Sequence, residues 1–70
     1  MLTRFEKDKR YRFDKATFIK WCISNNIPSR LYEYPWEDRS DGKEVEVVNP
    51  RDGIVEGYEI SPEWCVEAAE

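Results

Sequence analysis

The sequence predicts an α+β domain, with one helix packed on a small, strongly bent antiparallel sheet of about four strands that has the makings of a partly closed barrel. Three observations carry that expectation. Residues 41–64, DGKEVEVVNPRDGIVEGYEISPEW, alternate apolar and acidic positions on both sides of a turn, the pattern of an antiparallel hairpin. Phe18, Ile19, Cys22 and Ile23 recur at helical spacing. Finally, 70 residues with 14% aromatics describe one small domain whose core is built on rings. Each ring buries roughly 150–250 Å², which is how so short a chain compensates for a large surface.

The elements follow in order. Residues 1–9 scatter charges around Phe5 without a period and read as a flexible segment, which leaves residues 10–67 as the domain. Tyr11 and Phe13 alternate with Arg10 and Arg12, a short strand. Asp14 has the chemistry of a helix N-cap, so the helix is expected over residues 14–25, with Trp21 at the edge of its apolar stripe. Asn25 and Asn26 tolerate the left-handed conformation that ends helices, and Pro28 prevents continuation. Tyr32, Tyr34 and Trp36 alternate with Leu31 and Glu33, a strand of aromatic character. Pro35 lacks an N–H and marks its edge or its end.

Ser40-Asp41-Gly42 is a turn. Residues 43–48 form a strand with Val45 and Val47 on one face and Glu44 and Glu46 on the other. Residues 49–53 turn the chain, and residues 53–60 return it. The return strand slips phase between Val55 and Tyr58, which a bulge at Gly57 repairs. Residues 61–63 start a tight turn, after which Trp64 and Val66 close back on the sheet.

Charge is unevenly spread. Residues 1–21 carry seven basic and three acidic side chains, whereas residues 22–70 carry four and twelve, within a net charge of −4. Either the basic head neutralises the acidic body, or each faces a separate partner.

Several function classes are poor fits. The chain has two cysteines and no histidine. That is too few ligands for a zinc site and gives Cys22 or Cys65 no imidazole base. Asp38, Asp41, Glu44 and Glu46 lack calcium-loop spacing. Three glycines, all at turns or a bulge, make no phosphate loop. An enzyme is therefore not expected, nor a metal or other cofactor. The N-terminus MLTRFEKDKR has no apolar stretch of the kind a secretory signal needs, and no apolar run approaches the roughly 20 residues that cross a bilayer. The expectation is a cytoplasmic protein with reduced cysteines, monomeric or a homodimer, and no membrane partner.

The segments YRFDKATFIKWC, DGKEVEVV and GYEISPEWC together resemble small accessory proteins of Gram-positive phages and mobile elements, over Tyr11 to Cys65. The resemblance implies a bacterial mobile-element context and no catalytic residue. The valine-glycine hairpin is also similar to those of SH3-like ribosomal and transcription modules.

Two binding readings remain. Glu44 and Glu46 on one strand, with Glu56 and Glu59 on its partner, make an acidic hairpin surface suited to a protein partner with a basic surface. Alternatively Lys7, Lys9, Arg10 and Arg12, with any exposed part of Tyr32, Tyr34 and Trp36 flanked by Arg30 and Arg39, make a nucleic-acid interface. From residue 37 onward, however, eleven acidic residues face three basic ones, a field that repels phosphate.

Overall fold

The computed structural model describes residues 2–28 and 35–68. Among them are five strands, β1 (Tyr11–Phe13), β2 (Glu46–Asn49), β3 (Asp52–Val55), β4 (Tyr58–Ile60) and β5 (Cys65–Glu67). Helices α1 (Lys15–Ser24) and α2 (Pro35–Ser40) lie between β1 and β2, and one turn of 3₁₀ helix, Pro62–Trp64, joins β4 to β5. The fold is α+β, as the patterning predicts. It holds two small antiparallel sheets instead of one, ordered β1-β5 and β2-β3-β4, and neither closes on itself.

The helix forms where its end signals place it. Asp14 stands outside the helix in extended conformation, and its carboxylate accepts from the Thr17 backbone N–H at 3.0 Å and the Thr17 hydroxyl at 2.6 Å. At the other end Asn26 adopts φ 58°. Its N–H donates to Ile23 O at 3.1 Å, and the next N–H, of Ile27, donates to Cys22 O at 2.9 Å. This is the paired closure of a Schellman motif. Asp14→Ala is expected to cost about 1 kcal/mol, measured as a shift in the urea midpoint with unchanged slope.

The buried face of α1 differs from the expected stripe. Phe18 and Cys22 are buried, Trp21 packs edge-on against Trp64 at 5.4 Å, and Ile23 is 61% exposed. The face therefore runs through positions i, i+3 and i+4, turned toward Trp21, because the 3₁₀ turn carrying Trp64 docks on that side.

Three further expectations are corrected. Residues 35–40 are helical, not the end of a strand. Pro35 suits a first helical position, where the missing N–H costs nothing, and Glu37 and Asp38 lie in the first turn where the helix dipole favours acids. The rest of the expected aromatic strand, with Arg30, Tyr32 and Tyr34, lies outside the described residues. Next, residues 53–60 are not one bulged strand. Glu56 and Gly57 both take positive φ, 52° and 83°, and form a two-residue turn between β3 and β4. That handedness matches the twist of a hairpin. The bulge lies on β2 instead, where the register shifts between Val47 and Asn49. Lastly, Val47 is 38% exposed although it was expected inward with Val45, which is 5% exposed.

The core joins both sheets and α1. Phe13 is 0% exposed, and Tyr11, Phe5, Cys22, Ile60 and Cys65 are almost as deeply buried. Phe13 touches Phe18 and Trp36, with centroids at 5.8 and 5.4 Å, and Phe18 meets Trp64 at 4.9 Å. Phe5 comes from the segment expected to be flexible, yet it stacks edge-on against Tyr11 at 5.0 Å, and its N–H donates to Pro50 O at 2.7 Å. The packed unit thus begins before residue 10. Strand β1 also reaches the approach to β2: Phe13 N–H donates to Lys43 O, Val45 N–H donates to Tyr11 O, and Arg12 bridges Glu44. Those bonds link the two sheets.

Candidate functional site

The four carboxylates expected to form the acidic surface divide into two kinds. Glu44 is bonded by the Arg10 guanidinium, which reaches both carboxylate oxygens, Nε at 3.3 Å. That hydrogen bond holds the Glu44 carboxyl below the usual range. Glu56, in the β3–β4 turn, accepts from Lys43 Nζ at 3.0 Å. Both are exposed ion pairs and add little stability.

Glu46 and Glu59 are placed differently. Ile54 is the Cα partner of Glu46 on one side and of Glu59 on the other. Opposed residues of antiparallel strands share a face, so the three make one row across the outer surface of β2-β3-β4. The adjacent row, Val47, Gly53 and Ile60, lies on the core-facing side. Among the described residues neither Glu46 nor Glu59 has an ion-pair partner. The sequence pattern put Glu59 on the strand paired with Glu46. It lies one strand further, on β4, and Ile54 separates the two. Two strand spacings put their Cα atoms about 10 Å apart, so direct cross-strand repulsion is avoided.

Among the described residues, three of the seven basic side chains of the head, Lys9, Arg10 and Lys15, pair with acids of the body. Lys9 Nζ lies 3.1 Å from Glu6 and 3.7 Å from Glu67, and the Glu6 hydrogen bond raises the Lys9 ammonium above its ordinary range. Arg10 takes Glu44. Lys15 Nζ reaches Asp38 at 2.5 Å, and the Lys15 N–H donates to Asp41 Oδ1 at 3.0 Å. The sequence pattern did not anticipate this tie between α2 and the start of α1. Lys7 and Arg12 are exposed, with no ion pair among the described residues. Trp36 is half-buried in α2, against Phe13, Phe18 and Tyr58. Its ring serves the core, and of the expected nucleic-acid set Tyr32 and Tyr34 lie outside the described residues.

Both cysteines are free and buried. Burial pushes the Cys22 thiol up, reinforced by Glu37, and pushes Cys65 up to about 12, reinforced by Asp14 and Glu63. The Cys65 Sγ–H donates to Ser61 O at 3.4 Å. A thiol held protonated in this way is a poor nucleophile. A pH dependence follows. The unfolded thiol ionises near its model value of 9.0 while the folded one retains its proton. The folded state then binds more protons, so stability is full below about pH 9 and falls as pH rises toward 12. Cys65→Val should lose less stability over that alkaline range than the parent chain, measured by urea denaturation at each pH.

Among the described residues no group of three or more His, Cys, Asp or Glu side chains is arranged to hold a metal ion. No described helix is long and apolar enough to cross a membrane. One open groove of about 320 Å³ is lined by Arg51, Asp52, Glu59, Ile60, Ser61 and Trp64, and another of about 480 Å³ lies over Cys65 between α1 and β5. No family model matches the chain, and no curated protein or solved structure resembles it significantly.

Proposed function

We propose that the protein is a small non-enzymatic binding module, an accessory protein of a bacterial phage or mobile element acting in the cytoplasm. Its partner is a protein with a basic surface, engaged through the outer face of the β2-β3-β4 sheet. One observation carries this reading. Glu46 and Glu59 flank Ile54 on an exposed face without a counterion among the described residues, whereas Glu44 and Glu56 on the same hairpin are neutralised from within the chain. In this reading Glu46 and Glu59 form the centre of the acidic recognition site, with Glu44 and Glu56 at its rim.

We read the fold as an open relative of the SH3-like barrel. Support comes from the Arg12–Glu44 bridge, which carries the chain from the β1-β5 sheet into β2, and from the 3₁₀ turn between β4 and β5. The nucleic-acid alternative has less behind it, because Lys9 and Arg10 are spent on Glu6, Glu67 and Glu44. Fluorescence anisotropy with single- and double-stranded oligonucleotides at low salt separates the readings. The acidic-face reading expects no association. Association that falls steeply with salt and is lost in Lys7→Glu/Arg12→Glu would overturn it.

A further inference from the structure

Between the N-terminal segment and β2 lies an open groove of about 370 Å³, walled by Phe5, Lys7, Val47, Val48 and Pro50. Strand β2 is an edge of its sheet among the described residues. Among the described residues its outer flank is tied only near the ends. Upstream, Val45 N–H donates to Tyr11 O and Glu44 bridges Arg12. Downstream, Phe5 N–H donates to Pro50 O. Between those ties, among the described residues, no backbone bond reaches the outer flank of Glu46, Val47 or Val48. Unpaired strand edges are templates for another extended chain.

The two faces of this stretch differ in chemistry. Val47 lies on the side of Gly53 and Phe5, yet is 38% exposed, and bulged Val48 is 57% exposed. Both valines line the groove, with the buried Phe5 at its floor. Glu46 points to the opposite face, in the row with Ile54 and Glu59.

We infer that the β2 edge and its groove bind an extended peptide segment of alternating apolar and basic residues, added as a fourth strand beside β2. The inference rests on the acidic-face reading and supplies the partner's conformation. Successive side chains of a strand point to opposite faces. One apolar side chain enters the groove between Phe5, Val47 and Val48. Its neighbour, Lys or Arg, stands on the outer face across from Glu46, with Glu59 further along the same row. Lys7 at the groove wall repels a basic side chain there and so sets the register. Main-chain bonds then contribute affinity and the alternating side chains specificity. The bulge at Val48 ends regular pairing and keeps the docked stretch to about three residues. A second copy of this chain fits less well, because pairing β2 with itself would bring two Glu46–Glu59 rows onto one sheet face, like charge beside like charge.

The test is an NMR titration of the full ¹⁵N-labelled chain with the capped peptide Val-Arg-Val-Arg-Val, against Val-Glu-Val-Glu-Val and against the basic peptide N-methylated at its central valine. Strand addition expects amide shifts over Glu46, Val47 and Val48 and slowed exchange at Val47, whose N–H points to the same flank as that of Val45. Affinity should be at least tenfold lower for the acidic and N-methylated peptides, and at least fivefold lower in Val48→Lys, whose fold is checked by its unchanged remote resonances. Shifts centred on Ile54 and Glu59, with the β2 amides unmoved and N-methylation harmless, would overturn the inference and leave the acidic face standing. No response to the basic peptide at millimolar concentration would also overturn it. So would concentration-dependent shifts at β2 without peptide, which would assign the edge to a second copy. Loss of basic-peptide binding in Glu46→Lys/Glu59→Lys, with β2 shifts in the parent chain, supports both readings. Retention of β2 shifts in that variant would contradict the acidic face and, with it, the placement of a basic side chain across from Glu46, and so overturn the inference as stated.

Discussion

Phe13→Ala is expected to remove a large share of the chain's folding stability and to lower its urea midpoint steeply. Phe13 is wholly buried and touches the rings of Phe18 and Trp36, while its own N–H and C=O bond Lys43 and Gly42. Truncating a buried Phe to Ala costs about 3–5 kcal/mol. A domain of this length has about 4–10 kcal/mol in total. The ring also sits where β1, α1 and α2 meet, so its loss removes contacts of three elements at once. Circular dichroism and urea titration measure the loss. A variant that keeps a cooperative transition near the parent midpoint would show that the core does not centre on this ring.

Gly53→Ala should destabilise by about 1–3 kcal/mol through overpacking. A Cβ at residue 53 would lie 2.3 Å from Val45 Cγ1 and 3.1–3.2 Å from the Phe5 ring. Val45 is β-branched and stiff about χ1, so it does not swing aside. The glycine is therefore required for close approach, the seat on which the N-terminal segment packs. Coupling tests this account. Gly53→Ala in a Val45→Ala background should cost less than in the parent, because the clashing methyl is gone. Strict additivity of the two substitutions would show that no such contact exists.

These residues also show what was legible in the sequence. Local signals read well. Asp14 caps α1, Asn26 ends it in the left-handed region, Asp41-Gly42 turns, and Tyr11–Phe13 is a strand. Each depends on side-chain or backbone chemistry within a few residues. What failed depended on tertiary context. Phe5 looked stranded among charges, because nothing nearby in sequence reveals that Gly53 leaves room for its ring. Gly57 suits a bulge as well as a turn by sequence, since a bulge and a two-residue turn both shift the apolar phase between Val55 and Tyr58. Alternation alone makes Pro35 and Trp36 extended, although Pro at a helix start and acids after it suit a short helix equally.

The candidate site was legible in composition and not in arrangement. The acidic character of the hairpin stands in the sequence. Which carboxylates keep their charge exposed depends on long-range pairs such as Arg10 with Glu44, thirty-four residues apart, and on Glu59 lying two strands from Glu46. Charge balance within the fold thus accounts for Lys9, Arg10 and Lys15 of the basic head, and leaves Glu46 and Glu59 without an ion-pair partner among the described residues.

The most direct measurement compares capture of a basic protein partner from nuclease-treated bacterial lysate by the parent chain, by Glu46→Lys/Glu59→Lys and by Glu44→Gln/Glu56→Gln, all checked for folding by circular dichroism. The acidic-face account predicts that the first variant loses the partner at least tenfold while the second retains most of it, since its carboxylates are already neutralised within the chain. Equal retention by Glu46→Lys/Glu59→Lys and the parent would contradict it.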